Sequence, residues 1–249
     1  VRLLVDGFGA RDFAASLGKT LAADGVEVMT YRPEIGWARF RRHRLRRMHR
    51  KLAVIDAAVA FVGGINVLDD YDNGKSALPR FDYAVRIEGP LVQRIHKAVR
   101  HVWRLVRWAQ LGSRPPAPAP LPAVLMIPGV TQAAFLVRDN LRHRHDIENA
   151  YLDAIQSARQ QILISNAYFL PGRRFRKMLL AAASRGVKVT LLLQGRSDHL
   201  FLHYATMSLY DRMLSAGVRI FEYEQAFLHA KVAVIDENWA TVGSSNIDP

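Results

Sequence analysis

Cysteine is absent from all 249 residues. That excludes a disulfide scaffold, thiol catalysis and cysteine-ligated zinc. No apolar run approaches the roughly 18–20 residues that a membrane-crossing helix needs. No secretory leader pattern is visible, and the opening VRLLVDGFG reads as the interior of a domain. Acidic residues are scarce beside basic ones, 22 against 35, for a net charge of +13 with histidine neutral. Such an excess favours a polyanionic partner: nucleic acid, an anionic membrane surface or a phosphate-bearing substrate. Arginine outnumbers lysine 28 to 7, and its planar fork suits bidentate phosphate contacts. Half of the residues are hydrophobic and 23% are charged, a balance that buries a core.

Proline marks the main break. Between Leu111 and Pro128 the chain reads LGSRPPAPAPLPAVLMIP and holds six of the eleven prolines, a semi-rigid connector without backbone donors. This divides the chain into a first lobe at 1–110, a linker at 111–129 and a second lobe at 130–249. The lobes are copies. MHRKLAVIDAAVAFVGGIN from Met48 matches LHAKVAVIDENWATVGSSN from Leu228 without a gap, and VRLLVDG from Val1 parallels VTLLLQG from Val189. Each copy alternates short β-branched runs with helical patterns stopped by glycine, so the expected fold is α/β. Each lobe is expected to be a mostly parallel sheet flanked by helices, with the two related by a pseudo-twofold axis and the active site at their interface. Over 91–108 a stripe of Leu91, Ile95, Val99, Val102 and Val106 predicts a helix lying on a sheet.

The chemistry sits in the repeat. His-x-Lys-x-x-x-x-Asp occurs twice, as His49, Lys51, Asp56 and as His229, Lys231, Asp236. A small-residue turn and an asparagine follow each copy, Asn66 and Asn246. On a strand, i and i+2 share a face, so each histidine and lysine point together while the aspartate falls on the other face. One such triplet is a weak motif; two in register are not accidental. A histidine–aspartate metal site is disfavoured by the lysine within the cluster. The other histidines, including His96, His101, His143, His145, His199 and His203, lack this context and read as surface or packed residues.

With its trailing glycines or serines and asparagine, this duplicated motif resembles the phospholipase D superfamily. FDYAVRIEGP, NAYFLP and the sequences around both motifs further resemble its bacterial cardiolipin synthase branch. The resemblance implies two phospholipase D-like lobes and a metal-free, cofactor-free phosphatidyl transfer through a covalent phosphohistidine. His49 would be the nucleophile and His229 the general acid, with Lys51, Lys231, Asn66 and Asn246 holding phosphate oxygens. Asp56 and Asp236 would be structural supports of the motif. Asp82 matches the family's acidic residue that orients an imidazole, here expected for His49. The implied substrate and partner is an anionic phospholipid, phosphatidylglycerol, with no specific nucleic acid, at the periphery of the bacterial inner membrane. Three readings stay beside it: a lipid hydrolase of the same family, a metal-independent nuclease, and a catalytically silent binding scaffold, although all six motif residues are intact.

Two further expectations come from comparing the copies. The first carries an insertion before its motif with arginines at 39, 41, 42, 44, 46 and 47 among aromatics, suited to anionic headgroups. The second carries a strand and helix before Val189 whose counterparts would precede Val1. Adding the repeat offset to Asp82 gives a position past the last residue. On that arithmetic the first lobe is incomplete at its N-terminus, the second at its C-terminus, and the carboxylate for His229 lies outside this chain.

Overall fold

A computed structural model describes residues 1–7, 10, 13, 16–32, 48–67, 78–111, 129–138, 143–195 and 200–248. The arginine-rich insertion and the linker from 112 to 128 lie outside the described residues, as does His199. The first half forms β1 (Arg2–Asp6), α1 (Leu17–Ala23), β2 (Glu27–Tyr31), β3 (Lys51–Ile55), β4 (Val59–Gly63), β5 (Ala84–Glu88) and α2 (Leu91–Leu111). The second forms α3 (Asp146–Ser157), β6 (Gln161–Asn166), α4 (Arg173–Ser184), β7 (Lys188–Gln194), α5 (Leu200–Met207), α6 (Tyr210–Ser215), β8 (Arg219–Tyr223), β9 (Lys231–Ile235) and β10 (Trp239–Val242).

These elements gather into two compact units that do not follow the linker. One holds Val1–Arg50, Val54–Ala60 and Glu88–Thr131; the other holds Lys51–Ala53, Phe61–Ile87 and Gln132–Pro249. The segment 61–87, which belongs to the first copy by sequence, therefore folds with the second.

In the first unit β1 and β2 pair in parallel from Arg2↔Glu27 to Asp6↔Tyr31. Gly25 stops α1 at φ 83, a left-handed value that costs glycine nothing. The Gln110 amide donates to the Thr30 carbonyl at 2.7 Å, which sets the end of α2 along β2. The buried face of α2 consists of Val92, Ile95, Trp103 and Val106. It is rotated from the expected stripe: Leu91 and Val102 are only half-buried. Of the two tryptophans on the helix, Trp103 is buried and Trp108 exposed, so the buried face follows Trp103, whose ring offers far more apolar area than an aliphatic side chain. The Arg2 guanidinium covers it at 5.8 Å from the ring centroid.

The second unit is built on a five-stranded sheet in the order β10-β9-β6-β7-β8. β6–β7 and β7–β8 are parallel, whereas β6–β9 and β9–β10 are antiparallel. The sheet is mixed rather than mostly parallel, because the repeated motif itself folds as a hairpin, β9–β10. Alternate residues along the strands point into the core: Ile162 and Ile164, Val189, Leu191 and Leu193, Ala233 and Ile235. Against them pack Tyr151, Leu152 and Ile155 of α3 and Phe175, Leu179 and Ala182 of α4. Each fully buried aliphatic side chain here stabilises the fold by about 1.5–3 kcal/mol. A separate sheet of order β3-β4-β5 carries the first copy's hairpin.

Among the described residues no helix is long and apolar enough to cross a membrane. Leu191 is wholly buried at the centre of the sheet, while its neighbour Leu192 is half-buried on the opposite face. Leu191→Ala is expected to cost about 2–5 kcal/mol and Leu192→Ala markedly less, measured as the shift in urea midpoint.

Candidate active site

The backbone around His229 is fixed on three sides before its side chain is considered. The Leu228 N–H donates to Gln194 Oε1 at 2.7 Å. The His229 N–H donates to the Phe81 carbonyl at 2.9 Å, and the Ala230 carbonyl accepts from the Ala167 N–H at 2.9 Å. Phe81 and Leu228 form a single parallel bridge, completed by the Phe81 N–H donating to the Phe227 carbonyl at 2.9 Å. This bridge lays Asp82 against His229.

Asp82 Oδ2 lies 2.6 Å from His229 Nδ1. Both side chains are nearly enclosed, 6% and 10% exposed, so little water competes for the bond. The second carboxylate oxygen accepts the Tyr83 N–H at 2.8 Å. With Nδ1 engaged by the carboxylate, Nε2 is the nitrogen left for substrate chemistry. A Cβ on Gly64 would collide with the Asp82 carboxylate, and one on Gly63 with the backbone of Tyr83 and Ala84. The Gly-Gly turn of the first motif is therefore required by close approach. At Gly243, its counterpart, a Cβ would meet open space.

Two expectations are corrected here. Asp82 orients His229, not the His49 for which it was expected. The carboxylate sought for His229 past the end of the chain is supplied from within it. The reason is the Phe81–Leu228 bridge, which carries a first-copy segment into the unit that holds the second-copy motif.

Asp82 and His229 line a cleft of roughly 50 Å³ together with Ile65, Asn66 and Arg80, room for a few water-sized groups or one phosphoryl head. Lys231 is 2% exposed, and its ammonium donates to the His229 carbonyl. Burial pulls its pKa from 10.5 to about 7; Asp82 opposes the shift, and the positive charges of Lys51 and Arg80 add to it. Asn166, fully buried, stands opposite Lys231 in the β6–β9 register. Asn246 is not among the cleft-lining residues, and its Oδ1 is sealed without a hydrogen-bond partner among the described residues. His49 is exposed and falls in the other unit, as does Asp56.

The motif aspartates belong to turns. Asp56 and Ala57, and likewise Asp236 and Glu237, have φ between 48 and 59. These are the central residues of tight β-hairpin turns closed by Ala58 N–H to Ile55 O and Asn238 N–H to Ile235 O. Asp236 further accepts the N–H groups of Arg159, Gln160 and Gln161 at 2.7–2.9 Å. Those bonds, Gln161's first, hold its carboxyl below the usual range. Asp236 sits at the far end of β9 from His229, where these three backbone bonds brace the hairpin turn. His143 and His145 pair with Asp146 and Glu148 on the surface.

Sequence reading missed a shared positioning device. In the first unit Asp6 Oδ1 accepts the Met48 N–H at 3.0 Å; in the second, Gln194 does the same for Leu228. In both copies a side chain at the end of a strand holds the residue before the motif histidine. The signal was present: aligning VRLLVDG with VTLLLQG puts Asp6 and Gln194 at one repeat position. Arg80 was also missed, because it lies outside the repeated unit.

Two outcomes follow from this geometry. Between pH 7 and 10.5 the unfolded chain keeps a Lys231 proton that the folded chain has released, so this group makes stability rise with pH across that window. Lys231→Met should remove that rise, read as the difference from wild type in urea unfolding at pH 7 and pH 9. Gln194→Leu leaves a buried N–H unpaired and should cost about 1–3 kcal/mol in the same unfolding measurement.

Comparison with known proteins matches part of this chain to a family model. Residues 151–249 match the family model described as cardiolipin synthase, PLD-like domain. The chain is 38% identical over 257 aligned residues to cardiolipin synthase B of Escherichia coli K12, covering 99% of this chain and 59% of that protein. It is 32% identical to cardiolipin synthase A of Pseudomonas putida, covering 100% of this chain and 50% of that protein. The chain thus spans between half and three-fifths of these curated relatives. Among solved structures, polyphosphate kinase from Porphyromonas gingivalis covers 98% of this chain and 36% of its own at TM-score 0.53 and 15% identity, a likeness of fold alone.

Proposed function

We propose that this chain, which belongs to the phospholipase D superfamily and is similar to its cardiolipin synthases, carries the catalytic machinery of a phosphatidyltransferase that makes cardiolipin from phosphatidylglycerol. The observation that carries the reading is the enclosed His229–Asp82 pair in a cleft shared with Asn66 and flanked by Lys231. That the likeness to cardiolipin synthase B runs through 99% of the chain supports the lipid substrate.

In this mechanism an imidazole nitrogen of His49 attacks the phosphorus of one phosphatidylglycerol. The bond to the glycerol oxygen breaks, and His229 delivers the Nε2 proton to that oxygen. A carboxylate on Nδ1 suits this role, because it stabilises the imidazolium that must exist before the proton leaves. A hydroxyl of a second phosphatidylglycerol then gives its proton back to His229, attacks the phosphorus and frees His49. Lys51, Lys231 and Asn66 counter the charge that shifts onto the equatorial oxygens, with Asn246 retained in that role from the family pattern. The enzyme works at the periphery of the bacterial inner membrane, where the arginine-rich insertion meets anionic headgroups.

Full-length protein incubated with phosphatidylglycerol vesicles should yield cardiolipin and free glycerol. Phosphatidic acid without cardiolipin would instead identify a lipid hydrolase, and DNA cleavage in the presence of chelator a nuclease. Rapid quenching with labelled lipid and mapping of the adduct should find a phosphatidyl group on His49, abolished in His49→Ala. Asp82→Asn should lower kcat by about 10⁴-fold, the scale seen when a catalytic imidazole loses its orienting carboxylate.

A further inference from the structure

The bridge that delivers Asp82 to His229 delivers a second side chain to the same cleft. Arg80, Phe81 and Asp82 run beside Phe227, Leu228 and His229, held by the two hydrogen bonds of Phe81. In an extended segment, i and i+2 share a face. Arg80 therefore points with Asp82, and both line the cleft with Asn66 and His229. Phe81 turns the other way and stacks on Tyr223 at 5.5 Å and 27°. The Arg80 guanidinium carbon lies 5.3 Å from the centroid of Phe227, so an aromatic face supports its planar group.

Charge shows what this arrangement suits. Among the described residues, Asp82 is the one carboxylate lining the cleft, and its two oxygens already accept from His229 and Tyr83. Against it stand Lys51, Arg80 and Lys231, whose mutual repulsion is felt at Lys231. Among these four side chains, even with Lys231 partly neutral, cations outnumber the carboxylate. A phosphodiester brings one negative charge, and the cleft has room for one phosphoryl head.

We propose that Arg80 is a phosphate-binding residue of this site, its guanidinium taking two oxygens of the phosphodiester on which His229 acts. This rests on the phosphoryl-transfer reading of the cleft but not on the identity of the lipid. The two motif lysines are point charges on flexible stems; Arg80 adds a fixed fork that matches two phosphoryl oxygens at once. It has no part in the duplicated motif, so it makes the cleft around His229 chemically unlike anything the repeat alone would build.

The test uses full-length protein and inorganic phosphate as the probe. Wild type should bind phosphate by titration calorimetry, and Arg80→Gln should weaken that binding by about 10- to 100-fold, the range for losing charge-assisted hydrogen bonds. Arg80→Lys, which keeps the charge but loses the fork, should fall between them. A second measurement needs no variant: phenylglyoxal modification of Arg80 in the wild-type enzyme, mapped by mass spectrometry, should slow several-fold when phosphate is present. Equal phosphate affinity in wild type and Arg80→Gln, or modification of Arg80 unaffected by phosphate, overturns the proposal. The readings separate cleanly. Phosphate binding that depends on Arg80 in an enzyme that makes no cardiolipin sinks the lipid assignment and leaves Arg80 in place. Cardiolipin formation unaffected by Arg80→Gln does the reverse.

Discussion

One hydrogen-bonded bridge, Phe81 against Leu228, is the constraint on which the candidate site depends. It contributes two backbone bonds, no more than a turn does. Yet it decides which histidine receives a carboxylate, which face Arg80 presents and why Gly64 has no side chain. The bridge is braced from both flanks: Gln194 holds the Leu228 N–H, and Ala167 holds the Ala230 carbonyl. A displacement of this short segment would open the His229–Asp82 contact, and an imidazole without its carboxylate has no preferred tautomer.

Lys231 shows the cost of such a site. Its ammonium is removed from water, donates to its own neighbour's carbonyl and is repelled by Lys51 and Arg80. A negative charge placed beside these cations would offset that repulsion. Asp236 is the converse case. It is a motif residue whose three backbone bonds tie the β9–β10 turn to the start of β6, and its recurrence reflects the hairpin rather than the reaction.

Much of this was legible in the residues. The short apolar run in VTLLLQ reads directly as a buried strand. The pairing of His229 with Lys231 on one face follows from strand parity. What could not be read was which residues meet across the fold. Repeat arithmetic establishes that Met48 and Leu228 are equivalent. It says nothing of where the segment after Asn66 travels, and a single bridge at Phe81 has no periodicity to reveal it. The face of α2 escaped for a different reason: Trp103 does not belong to an aliphatic stripe, but it has more surface to bury than any residue that does. The mixed sheet followed from the motif hairpin, whose antiparallel pairing outweighs the parallel habit of the strands around it.

The passage of Asp82 from the first copy to the histidine of the second bears on ancestry. If the two copies arose by duplication of one gene, the single-copy forerunner carried one histidine and one such carboxylate in each chain. In the arrangement seen here the two meet only when the carboxylate comes from the other copy. A lone forerunner chain could not have oriented its own imidazole this way; two identical chains, each lending its segment to its neighbour, could. On that premise, fusion would have turned an exchange between subunits into one within a single chain and freed the two copies from having to stay identical.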